Sequence, residues 1–282
     1  IYAVAGGQDS NPVNVIYDVL TGYWGKLGLA TSMIDMPSFQ AAATRCYSEG
    51  NGYSRVFEDF TDAVDIIEEV LTQINGILFL DPTTNTIKLK LIRNDYNPQL
   101  VPVINRNNCQ KLTNLAVGGH TNIVNKVRVI YTDRSRDYQD NSETAQNPSN
   151  AFAADSQIVE AVLKYPGVTY AELAAEIAAR DLAARSRPII KCKAIVDRSF
   201  YRTLPGDVVR LVYTSPDINL FFRVANVERG TLEDGAIALD LVLDNFYVWR
   251  DQAPKNPHFG SGTFGGDLGT VSDEIPPIHI GK

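Results

Sequence analysis

The sequence predicts an α+β fold: a small helix-plus-hairpin domain, then a β-rich, antiparallel, barrel-like domain with one inserted helix. Three observations carry this. Phe60, Val64, Ile67, Leu71 and Ile74 recur every three or four residues, the spacing of one helical face. Ile237, Leu239, Leu241 and Leu243 alternate with Ala238, Asp240, Val242 and Asp244, the period of a strand with one face on a core. Between residues 253 and 277 glycine and proline accumulate, as in a linker or tail that builds no core. The expected division is 1–104, 105–250 with its helix near 169–186, and 251–282.

Taken in order, Ile1–Val4 reads as the end of a strand and Gly6-Gly7 as a turn. Asn11-Pro12 opens a first helix, because Asn caps well and Pro has no N–H to waste at the first helical position. Gly22 is placed to end it. Ser38–Tyr47 reads as a second helix, with Phe39, Ala42, Ala43 and Cys46 on one face. The third runs from about Phe57 to Asn75, with Asp59, Asp62 and Asp65 near its positive end. A hairpin follows, Ile77–Leu80 and Thr86–Ile92, turning at Asp81-Pro82-Thr83-Thr84-Asn85.

From Asn94 to Asn122 the pattern weakens, and this stretch reads as a connection between domains. Lys126–Thr132 is a strand. Asp133–Asp155 is polar and reads as a long exposed loop. Thr169-Tyr170-Ala171-Glu172 fits a capping box for a helix that Pro188 stops. Ile190–Val196 is a strand feeding the block from Leu204 to Trp249, where Leu204-Pro205-Gly206-Asp207 reverses the chain into the strands Val208–Tyr213, Leu220–Val227 and Ile237–Phe246.

At 282 residues, 44% hydrophobic and 21% charged, the chain can bury a sizeable core, and its length suits about two domains of ~100–200 residues. A net charge of −7 argues against a protein that neutralises nucleic-acid phosphates. Cys46, Cys109 and Cys192 are too sparse for a disulfide framework or a zinc ribbon and read as buried thiols. No apolar run reaches the ~18 residues of a membrane span.

Candidate chemistry is thin. His120, His258 and His279 lie far apart, and no Ser or Cys has a nearby His, so no nucleophile is assigned. Asp240 and Asp244 share a strand face, as do Asn226 and Glu228 on the preceding strand. A glycosidase could use such a carboxylate pair, but a one-sided sheet shows the same charges on its solvated or subunit-facing side. No Asp-rich loop has calcium-ligand spacing, so no metal or cofactor is expected. Gly6-Gly7 and Gly118-Gly119 lack the Lys-Ser/Thr of a phosphate loop. Lys88 and Lys90, like Lys191 and Lys193, read as solubilising or edge-protecting faces. Phe221 and Phe222 point to opposite faces, so at least one is core and the other a candidate subunit contact. Tyr247 and Trp249 share a face, for the core or an interface.

The ordered set of segments resembles the hub proteins at the distal tip of long-tailed bacteriophages and phage-like gene transfer particles. The residues carrying it are Asn11–Leu20, Ser38-Phe39, Glu49-Gly50, Val64–Asn75, Gly76–Pro82 and Arg93–Tyr96, then Asn125–Tyr131, Ala178–Leu182, Leu204–Val209 and Arg223–Gly230. The resemblance spans about 11–250, to the central part of such hubs. It implies a non-enzymatic virion structural protein at the distal end of the tail, forming a homotrimer. It also implies contacts with tail-tube, tape-measure and receptor-binding or fibre proteins, and DNA that passes without specific binding. The other readings are a virion-associated cell-wall glycan hydrolase, on the carboxylates near Asp240, and a host-receptor or carbohydrate-binding module, on the β content and loops.

Overall fold

The computed structural model describes residues 9–22, 27–57, 62–117, 123–147, 158–187, 189–214, 217–231 and 235–244. Within them lie four α-helices and eleven strands gathered around three main cores. The α+β class with a β-rich part is what the alternating and helical periods demanded.

The first core belongs to α1 (Pro12–Thr21), α2 (Met36–Ser48), α3 (Ala63–Ile74) and the hairpin β1 (Gly76–Asp81) and β2 (Thr86–Leu91). Asn11 is wholly buried. Its Oδ1 accepts the Val13 N–H at 3.1 Å, and its Nδ2 donates to the Ala43 carbonyl at 2.9 Å. One side chain thus starts α1 and ties it to α2. Asp35 and Asp62 cap α2 and α3 in the same manner. Helix α3 begins at Ala63, later than the apolar spacing suggested; its inward stripe is Ala63, Ile67, Val70 and Ile74, while Val64 is exposed. Phe60 and Asp59 lie outside the described residues. Asn75 leaves α3 in the left-handed conformation, which Asn tolerates.

In the β1–β2 turn the buried Asp81 accepts from Thr83 N at 2.9 Å, Thr83 Oγ1 at 2.6 Å and Lys88 Nζ at 2.8 Å. These contacts outweigh the burial that would otherwise raise its pKa and hold the carboxyl well below the usual range. Lys88 is therefore an ion-pair partner within the hairpin.

The second core is a six-stranded sheet in the order β3 (Val103–Ile104), β9 (Val208–Thr214), β10 (Asp217–Arg229), β11 (Ile237–Leu243), β8 (Ile190–Val196) and β4 (Cys109–Val117). Its first and last strands, β3 and β4, are chain neighbours joined by the turn at 105–108. Asn105 N–H donates to Asn108 Oδ1 at 2.8 Å, and Asn108 Nδ2 donates to the Val103 carbonyl at 2.8 Å. The sheet consequently curls into a half-barrel, helped by bulges between Val224 and Asn226 and twice within β4. The buried residues of this core come from strands and from Phe200. Strands β3 and β4 correct the expectation of a connection over 94–122, because both belong to the half-barrel sheet. The alternation of β4 is interrupted by the two bulges and by Asn114 at φ 55°, so no period of two survives in the sequence.

The third core lies between the two halves of that sheet in the chain. Strands β5 (Lys126–Asp133), β6 (Gln139–Gln146) and β7 (Glu160–Tyr165) form a sheet in the order β6-β5-β7, covered on one face by α4 (Ala171–Arg185). The expected loop at 133–155 is instead, over 139–146, a strand paired with β5 in full register. The inserted helix thus brings its own sheet and core.

Helix α4 also clamps onto the first core. The expected capping box does not form. Thr169 Oγ1 donates to Asp9 Oδ2 at 2.9 Å rather than capping α4, whose N-cap is Tyr170. Asp9 is also paired with Arg134, and the Tyr170 hydroxyl donates to the Gly50 carbonyl. Arg180 Nη1 donates to the Gln73 carbonyl at 2.6 Å and so caps the C-terminus of α3 across the seam. Gly167 lies against the buried Tyr53 ring, where a Cβ would meet ring carbons at 2.2 and 2.3 Å, and its carbonyl accepts the Ser54 N–H at 2.9 Å.

Two outcomes follow from these contacts. Gly167→Ala is expected to destabilise the chain by about 1–3 kcal/mol through overpacking, read by chemical denaturation. Asp81→Ala should cost about 1.5–3 kcal/mol at neutral pH. A depressed carboxylate stabilises above its ordinary pKa of about 3.9 and loses that contribution as pH falls toward its folded value. The difference between Asp81→Ala and the parent chain should therefore shrink below pH ~4, as followed by denaturation midpoints against pH.

Candidate functional site

The carboxylates singled out in the sequence part company in the structure. Asp240 faces Asn226 across β10 and Lys193 across β8. Asn226 Nδ2 donates to its Oδ2 at 3.3 Å, and Lys193 Nζ lies 3.9 Å from its Oδ1 and 2.9 Å from Glu228 Oε2. The hydrogen bond to Glu228 raises the Lys193 pKa. All three charges are solvent-accessible, an arrangement that screens well and stabilises little.

Asp244 is different: it is 3% exposed and lies just past the end of β11. The outward face that strand alternation assigns it is covered by the segment around Tyr96, whose hydroxyl donates to Asp244 Oδ2. Asp240 and Asp244 therefore share no open surface, and Asp244, buried within the chain, does not lie on the solvated or subunit-facing side that the alternation predicts.

What Asp244 does is anchor Arg223. The guanidinium, 12% exposed in its side chain, donates from Nε and Nη2 to Asp244 Oδ1 at 3.3 Å each. It donates from Nη1 to the Gly206 carbonyl at 3.0 Å and from Nη2 to the Arg93 carbonyl at 3.1 Å. It also lies 5.9 Å from the centre of the Tyr96 ring, which in turn leans on Phe221 at 6.2 Å. Arg93 follows β2 and Gly206 precedes β9, so Arg223 joins the hairpin unit to the half-barrel. Lys90 adds an ion pair to Asp207 at 2.5 Å. Gly206, at φ +81°, leaves room for Ile77: a Cβ there would meet Ile77 Cδ1 at 2.6 Å. Leu204-Pro205-Gly206-Asp207 thus forms part of a seam as well as a turn.

A cleft of 280 Å³ opens along this seam, bordered by Lys90, Tyr96, Leu100, Thr203, Asp207 and Arg223. Of its charged groups, Lys90 and Asp207 pair with each other and Arg223 is held by Asp244.

Phe222 is wholly buried in the half-barrel core, and Phe221 is 3% exposed on the opposite face beside Val101, Val208 and Tyr96. Neither ring is a free subunit contact. Lys193 and Lys191 lie on β8, an interior strand, so they protect no edge. Cys46, Cys109 and Cys192 are buried free thiols; burial pushes Cys46 up to about 12 and Cys192 up to about 11. His120, His258, His279, Gly6-Gly7, Gly118-Gly119, Tyr247 and Trp249 lie outside the described residues. Among the described residues no group of three or more His, Cys, Asp or Glu side chains is arranged to hold a metal ion. No described helix is long and apolar enough to cross a membrane.

Sequence reasoning missed the Arg223 cluster, although it had noted Arg223–Gly230 as a segment. A signal was present: an Arg in an otherwise apolar strand, Leu220-Phe221-Phe222-Arg223-Val224, calls for a buried acceptor set. Arg223→Met is expected to cost about 3–5 kcal/mol, because it leaves Asp244 buried and uncompensated. Arg223→Met combined with Asp244→Leu should cost less than the sum of the two single changes, as measured by a double-mutant cycle in denaturant.

The fold has a solved counterpart. A chain of the virion of a native gene transfer agent particle superposes with a TM-score of 0.51 at 16% identity, over 73% of this chain and 43% of that one. The tail protein of Neisseria meningitidis MC58 gives 0.48 at 12%, over 73% and 66%. The 43 kDa tail protein of prophage MuSo2 from Shewanella oneidensis gives 0.45 at 11%, over 70% and 59%. This chain spans less than two thirds of the length of each. No curated protein matches it. The family model Phage-tail_3, described as "Putative phage tail protein", matches residues 62–227. That match takes in more than half of the chain, from the cap of α3 into β10, and the chain belongs to this family of phage tail proteins.

Proposed function

We propose that this chain is a structural subunit of the hub at the distal tip of a phage tail. Three copies ring the tail axis, close the tail tube, anchor receptor-binding or fibre parts, and leave a passage for tape-measure protein and DNA. The observation that carries the reading is the family match. It runs through parts of all three cores and includes Arg223, Gly206, Arg93 and Tyr96 of the seam. A part of a pressure-bearing tube needs units held in fixed relation, and the two seams support that. The net charge of −7 supports passage of DNA without adhesion, since like charges repel. In this reading 1–104 and 105–250 are the two bodies of the hub, the second holding both the half-barrel and the third core and borrowing β3 from the first, and 251–282 is the linker toward its neighbours. The chemistry is mechanical, with no substrate turned over.

Imaging of assembled particles is expected to place three copies around the axis at the tail tip; copies dispersed along fibres would refute the hub. Purified chain incubated with peptidoglycan should release no fragments, and Asp240→Ala should leave that result unchanged, as read by chromatography of the soluble products.

A further inference from the structure

We draw no further inference here: the strongest candidate, the 280 Å³ cleft between the hairpin unit and the half-barrel with the exposed Leu100 at its border, belongs to the seam already described, and nothing in the structure shows what covers it.

Discussion

The arrangement of the half-barrel and the hairpin unit depends on one buried guanidinium. Arginine cannot shed its proton inside a protein, so a buried Arg must be given acceptors or it destabilises the fold. Arg223 draws them from three distant parts of the chain: the Asp244 carboxylate beyond β11, the Gly206 carbonyl before β9, and the Arg93 carbonyl after β2. The hydrogen-bond directions of a planar fork fix where those three groups must lie. Orientation between the two units is thereby set by a charge that has nowhere else to go. Tyr96 closes the arrangement by covering the guanidinium and donating to the same carboxylate.

The seam with α4 reaches the same end by other means. There the carbonyls left over at the end of α3 need donors, and Arg180 brings them from another helix. Asp9 takes hydrogen bonds from Arg134 and Thr169, and Tyr53 fits against a glycine that leaves it room. Gln73 shows how tightly the space is filled. Its Nε2 donates to the Gly52 carbonyl at 2.6 Å, while its buried Oε1 has no hydrogen-bond partner among the described residues. Such a group is tolerated where the surrounding contacts outweigh its cost.

Much of this fold was legible because its signals are local. Asn11-Pro12 carries its cap locally, an Asn acceptor followed by a Pro preset for the first helical position, and the alternation from Ile237 to Leu243 puts one face on a core whatever that core contains. Illegible features were those decided by distant residues. Thr169 has the spacing of a capping box, but its hydroxyl is taken by Asp9 from the far end of the chain. Asp244 continues the polar face of β11 by count, yet the segment around Tyr96 lies over it. Strand β6 hides among turn-forming residues because, of its side chains, Ala145 is the one packed against the third core. In the apolar stripe of α3, Ile67 and Ile74 are buried as their spacing demands and Leu71 packs on the same core, but the helix leaves Val64 exposed and buries Ala63 and Val70 in its place.

The turn at 105–108 ties the half-barrel together at one end, and it also sets an order in time. Strands β3 and β4 are synthesised before the third unit, yet their pairing partners β9 and β8 come after it. On a growing chain the first unit and then the β5–α4 unit can complete their local contacts, while β4 waits unpaired for β8 to emerge. Contacts of such long sequence separation are the slow ones in folding. While β4 waits there is no ladder to bulge, and what acts is its own sequence: Asn114, which tolerates the left-handed conformation, and the polar Gln110, Lys111 and Thr113 set among its apolar residues. They make the waiting strand a poor template for the wrong neighbour.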